Sequence, residues 1–418
     1  MRISTSEFLL GSLSNLLAQE SNVNQLSREI STGETMLDAT DDPGGASQVI
    51  GLANQIGTLT YDSANGQAAT QTLQSGVSTL QQVTNLLVQL SQTAVSAANG
   101  TSTQSGRQSD ISSAQTLLQQ LTQLANTQGP DGGYLFSGSK SNAPAFATQA
   151  NGQVVFNGDA STNQIEIAPS LNITSTISGQ GIFMNVPAGT DGVAVSAGGS
   201  NTGTAYAIAN GVTNLSQVTA ASLTGTQYDI SFSGSGSSLT YQVTSGHGTP
   251  GSAGYTSSSG VIASGAYTAG SDLTFGGIDI EVAGTPAAGD SFAVRPGATT
   301  TIFQTVQDLI AALNMPQGTG GQIAAAQQAL QNVITNIGGA QTSVLSAQAT
   351  LGTSLTEIQS VQSETSTQSA DASTETSSLQ SANMPQVLAN YSEGVTALQA
   401  AEESFAKVQN LTLFQYLK

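Results

Sequence analysis

The stretch LLGSLSNLLAQESNVNQLSREI at residues 9–30 and the stretch YSEGVTALQAAEESFAKVQNL at residues 391–411 together decide the fold. In the first, Leu9, Leu13, Leu16, Val23 and Ile30 follow the alternating three- and four-residue spacing of a helical seam, with Glu20 in one seam position. In the second, Tyr391, Val395, Leu398, Ala401, Phe405, Val408 and Leu411 make a comparable stripe. Neither helix can bury so narrow an apolar face alone. Mutual packing as an antiparallel pair is the least costly solution; a plain helical hairpin within one globule is the simpler alternative.

Moving inward, Ala39-Thr40-Asp41-Asp42-Pro43-Gly44-Gly45-Ala46 interrupts the first helix. Pro43 forces Asp42 out of the helical region, so the first helix has to stop before it. Asp42 then caps a new helix whose first residue is Pro43, and both acids favour its positive end. That helix carries Ile56, Leu59, Leu73, Val77, Leu80, Val83, Leu87 and Ala94, and Asn99-Gly100 closes it. A third helix shows Ile111, Ala114, Leu118, Leu121 and Ala125 and stops before Gly129-Pro130. Downstream, Leu330, Ile334, Ile337, Val344, Leu351, Leu355, Ile358 and Val361 mark a helix of coiled-coil length.

Between the helical zones the period changes to two. Val154-Val155-Phe156 precedes Asn157-Gly158, followed by Ile165 and Ile167, then Tyr228, Ile230, Phe232, then Leu239, Tyr241, Val243, then Ile278, Ile280, Val282. No basic residue lies between Lys140 and Arg295. The predicted class is α+β: a long antiparallel coiled-coil bundle formed by both chain ends, with a β-hairpin near 134–168 and an inserted antiparallel β domain. The expected boundaries are 1–40 and 380–418 for the inner helical layer, 41–189 and 298–379 for the helical core with its hairpin, and 190–297 for the outer β domain.

Composition narrows the function classes. The 418 residues hold 26 acids against 7 Lys+Arg, a net charge of -19, and only 8% are charged, against ~25% in an average soluble chain. So acidic a chain has no electrostatic footprint for nucleic acid or an anionic membrane. Cysteine is absent and His247 is the only histidine, which removes disulfides, thiolate chemistry and two-histidine zinc sites within one chain. No apolar run reaches the ~18 residues of a membrane helix, and MRISTSEFLLGSLSNLL has no continuous h-region. The expectation is a cytosolic protein or one exported without a cleaved signal.

Catalytic constellations were sought in the remaining polar positions. Asp279 and Glu281 share one face of a strand, as paired carboxylates of a glycosidase do, but solvent-facing strand positions account for them. Ser233-Gly234-Ser235-Gly236 lacks the lysine and the strand–turn–helix setting of a phosphate loop. His247 stands in Ser-Gly-His-Gly-Thr-Pro with nothing to orient its imidazole. Asp41 and Asp42 lack further ligands for a metal. The expected catalytic, cofactor and metal sets are therefore empty, and an enzyme is not expected.

The opening Met1-Arg2-Ile3-Ser4-Thr5, Ile30-Ser31-Thr32-Gly33, Asp41-Asp42-Pro43 ahead of a helix, and the ending Leu411-Thr412-Leu413-Phe414-Gln415-Tyr416-Leu417 resemble the bacterial flagellin superfamily. Within it they are most similar to the hook-associated branch found at the hook–filament junction. Gly133-Tyr134-Leu135-Phe136-Ser137-Gly138-Ser139-Lys140 and Gly284-Thr285-Pro286-Ala287-Ala288-Gly289-Asp290-Ser291-Phe292 point the same way. Two departures are Glu34, where relatives usually carry a basic residue, and Lys418 after the terminal Leu417. The segment about 190–275 matches the family's variable outer domain only loosely. The resemblance implies a structural protein exported through the flagellar channel and built into a helical lattice. Its implied partners are copies of itself, another hook-associated protein on the hook side, flagellin on the filament side, and an export chaperone at the C-terminal helix. It also implies that Leu9, Leu13, Leu16, Val23, Ile30, Tyr391, Val395, Leu398, Phe405, Val408 and Leu411 form the assembly interface. Flagellin itself and a surface-binding adhesin module are the alternatives.

Overall fold

The computed structural model describes residues 5–36, 38, 40–99, 103–174, 177–247 and 256–415. They fall into two compact units: Met1–Ala64 with Val361–Lys418, and Asn65–Ser360.

The first unit joins the two chain ends. Helix α1 (Thr5–Thr32) stops where Gly33 turns left-handed at φ +74°, its N–H donating to Glu29 O at 2.8 Å. The stop therefore lies well ahead of Asp42. Helix α2 (Pro43–Ala98) starts as the sequence predicts. Asp42 Oδ1 accepts the Gly44 N–H at 3.0 Å and Asp42 O accepts that of Ala46 at 2.8 Å. Helix α6 (Gly320–Gln380) ends beside the start of α7 (Met384–Gln415). That connection pairs with the one after α1. Glu34 and Ser381 form an antiparallel bridge, Thr35 N donates to Gln380 O at 2.7 Å, and Ala382 N donates to Gly33 O at 2.9 Å. This pin fixes α1 and α7 side by side and antiparallel.

The second unit holds most of α2, helix α3 (Gln104–Ala125), most of α6, and every strand. Along α2, Leu73, Leu80, Val83, Leu87 and Leu90 are buried. Along α6 the buried row is Leu330, Val333, Ile337, Ala340, Val344, Leu351 and Ile358, a clean heptad. Ile334 and Leu355 of the predicted row are half-buried, and Leu117 replaces Leu118 in the row of α3.

Two short hairpins follow α3, β1 (Phe146–Thr148) with β2 (Val154–Phe156) and β3 (Gln164–Ala168) with β4 (Leu171–Thr174), where one was expected. A π-helical turn at Gln180–Met184 leads to β5 (Val186–Pro187), which pairs with β14 (Thr299–Thr300). Helix α5 (Ile302–Asn314) then packs on α3. The centre of this region is aromatic: Phe146 has Phe156, Phe183 and Phe303 at ring distances of 5.2–5.3 Å, and Phe136 meets Phe183 at 5.3 Å.

Between β5 and β14 lies a two-sheet sandwich. Strands β6 (Val193–Ala197), β8 (Thr226–Ser233), β9 (Thr240–His247), β10 (Thr256–Ala266) and β13 (Ser291–Pro296) form an antiparallel sheet ordered β10-β9-β8-β13-β6. Strands β7 (Tyr206–Val212), β11 (Asp272–Phe275) and β12 (Ile278–Ala283) form the second, ordered β11-β12-β7. Their inner faces bury Ile230, Phe232, Val243, Ile278, Ile280, Val282, Phe292 and Val294. Helix α4 (Leu215–Thr224) turns Val218 and Ala221 inward. The free edge of β7 is closed by a side chain: Gln328 of α6 accepts from Ala207 N at 2.7 Å and donates to Ala207 O at 2.9 Å. The α+β class and the inserted antiparallel β domain are as predicted; α4 and α5 are additions to it.

Candidate assembly surface

The two terminal stripes meet along α1 and α7, with Gln19 rather than Glu20 in the seam and Leu13 outside it. Leu16, Val23 and Ile30 are half-buried, as are Tyr391, Val395, Leu398, Ala401 and Phe405. Leu13 is 41% exposed. The side chains of Leu9, Val408 and Leu411 lie outside the described residues. Glu20 is exposed; Gln19 stands in the seam instead, its Nε2 donating to Gly394 O at 3.4 Å. The tightest point is Gly394, where a Cβ would sit 3.2 Å from Val23 Cγ2. Leu26 and Val387 are buried and belong to the seam, and Glu29 is buried with Gln25 Nε2 donating to its Oε1. Sequence spacing held the signal for Leu26, which sits three residues after Val23 and four before Ile30.

A second row on α1 faces away from any cover. Leu10, Leu13 and Leu17 are 66%, 41% and 55% exposed and follow i, i+3, i+7. Ile50 and Tyr61 of α2 and Leu388 of α7 are likewise exposed. Large apolar side chains left open in rows on a polar chain mark a surface made to be covered.

The carboxylates are occupied with backbone. Asp41 Oδ2 accepts from Asp38 N and Asp42 caps α2. Asp290 takes three N–H groups, from Thr202, Gly203 and Ala287, at 2.8–3.0 Å and so ties two loops of the sandwich together. Asp159 accepts from the hydroxyl and the N–H of Ser139, and these bonds hold its carboxyl below the usual carboxylate range. Beside it Gly138, at φ +69°, leaves no room for a side chain: a Cβ would lie 2.3 Å from Asp159 O. Asp279 and Glu281 point out of the sandwich on β12, and His247 is exposed at the end of β9. Among the described residues no three His, Asp or Glu side chains gather into a cation site, and no helix is long and apolar enough to cross a membrane.

A family model of the bacterial flagellin N-terminal helical region matches residues 3–141. Among solved structures, flagellar hook-associated protein 3 of Legionella pneumophila matches with a TM-score of 0.71 and 28% identity over 78% of this chain and 98% of that one. The flagellar junction protein FlgL from the same organism gives 0.68 and 28% over 80% and 100%. FlgL of Xanthomonas campestris gives 0.67 and 26% over 78% and 99%. A search of curated protein sequences gives no match. A flagellin-type N-terminal region continued into paired chain ends around an inserted β sandwich makes the chain similar to hook-associated protein 3 over most of its length.

Proposed function

We propose that this chain is a non-enzymatic adaptor of the bacterial flagellum, assembling at the junction between hook and filament and giving flagellin its base for polymerisation. The observation that carries this is the terminal helix pair. One face of α1 is joined to α7, while the row Leu10, Leu13, Leu17 has no cover among the described residues. Covering that row with a different surface of a neighbouring copy is a head-to-tail contact, which generates a helical lattice when it does not close. The seam residues from Leu9 to Ile30 and from Tyr391 to Leu411 serve as the assembly interface. Another hook-associated protein would lie on one side of the lattice and flagellin on the other, with an export chaperone holding the C-terminal helix before secretion. The chain leaves the cell through the flagellar channel.

Immunogold labelling of intact flagella tests the location. A short labelled zone between hook and filament is expected, and loss of the gene should release flagellin monomers into the medium. Label along the whole filament would make the chain a flagellin. Label absent from flagella would overturn both readings.

A further inference from the structure

Arg295 is the only basic residue between Lys140 and Lys407. It lies on β13, where Phe292 and Val294 turn into the sandwich, so Arg295 stands on the opposite face of the five-stranded sheet. There a cleft of about 440 Å³ is lined by Gln227, Arg295, Thr300, Asp308, Asn332 and Asn336. Arg295 Nε and Gln227 Oε1 are both buried without a hydrogen-bond partner. Arg295 and Asp308 line the same cleft with no ion pair between them, and Asp308 instead accepts from Gln304 Nε2 at 2.8 Å.

The orientation of two amides follows from groups that can act in only one sense. Gly189 N–H can only donate, so Asn336 turns Oδ1 toward it, at 2.6 Å. Ala207 fixes Gln328 by the same logic, and Gln328 Nε2 donates to Asn332 Oδ1 at 3.0 Å. Both asparagines therefore keep their NH₂ groups for other partners. The cleft combines a guanidinium and two amide donors with an unpartnered carbonyl acceptor and a half-buried carboxyl.

We propose that this cleft binds a small carboxylate carrying a hydroxyl or amino donor, of the hydroxy-acid or amino-acid class. The ligand carboxylate takes the Arg295 fork and the asparagine NH₂ groups. Its donor group meets the Asp308 carboxyl. The volume lies within the ~300–1,000 Å³ of small-molecule sites.

The test is a titration of the full-length monomer with lactate, glycine and acetate, followed by amide NMR. Lactate or glycine should shift the side-chain amides of Gln227, Asn332 and Asn336 saturably, and acetate, lacking the donor, should bind about tenfold or more weakly. Arg295→Gln should weaken the better ligand by at least about tenfold, with Arg295→Lys intermediate. Asp308→Asn should weaken glycine more than lactate and so separates the two ligand types. Should Arg295→Gln fail to fold, Asn332→Leu removes one donor group and should also weaken binding. The proposal is overturned if neither ligand gives saturable shifts, which would leave a cleft filled by water only. It is also overturned if a folded Arg295→Gln binds as tightly as the parent chain.

Discussion

The helix pair α1–α7 and helix α5 each carry an apolar stripe, broader on α5, and they end up differently. On α5, Ile302, Phe303, Val306, Leu309 and Leu313 are all sealed by α3, the π-turn and the hairpins. On α1 and α7, only Leu26 and Val387 among the described large apolar side chains are buried, and the rest of the stripe stays half open. The difference lies both in the helices, α5 having the wider apolar face, and in what covers them. One stripe is finished within the chain; on the proposed reading the other is completed by a neighbouring copy. Two regions of one molecule thus separate folding from assembly, and substitutions in each should have separable consequences.

The largest contrast is expected from Leu398→Asp. In the lattice it buries an unpaired carboxylate, costing several kcal/mol per subunit, repeated at every position. Lattice assembly in vitro should be lost, while thermal melting of the second unit keeps its midpoint. A large drop in that midpoint would mean the α7 stripe already belongs to the folding core. Phe303→Ala is the converse. It removes a sealed ring from the aromatic cluster and should destabilise the second unit by about 3–5 kcal/mol, with assembly of the remaining folded protein unaffected. Denaturant titration and sedimentation read the two effects apart.

Much of this division was legible beforehand. Helical period at both ends and strand period in the middle gave the inserted arrangement, because Leu, Ile and Val still alternate cleanly in so polar a chain. The inward turn of Gln19 was not legible. Its amide donates to Gly394 O at 3.4 Å, beside a helix position with no Cβ, whereas Leu13 turns outward; hydrophobicity alone reverses that choice. The short α4 hides in a Ser/Thr/Ala-rich run with only Val218 and Ala221 buried. The pins at Asp290 and Asp159 became visible only in three dimensions. Their partners Thr202, Gly203 and Ser139 lie far away in sequence and carry no motif that names the bond.

Smaller effects sharpen the same contrast. Asp290→Ala leaves three N–H groups without their acceptor, a loss of about 1–3 kcal/mol, and should lower the melting point of the second unit while sparing assembly. Asp229→Asn tests the weakest term. Burial pushes the Asp229 carboxyl above its ordinary value. The folded chain therefore keeps this proton in a window where the unfolded chain has lost it, and stability falls as pH rises from the ordinary carboxylate value through the raised one. The variant should be slightly more stable at neutral pH and flatter across that window, as melting at pH 4 and pH 7 would show; equal slopes would remove Asp229 from the account.

The central claim, that the terminal pair is completed by neighbouring copies, is tested most directly by hydrogen exchange on monomer and assembled lattice side by side. Amides of Leu16–Ile30 and Tyr391–Phe405 should exchange fast in the monomer and become protected on assembly, while those of Leu330–Val344 stay protected in both. Strong protection of the terminal helices in the free monomer, unchanged in the lattice, would contradict it.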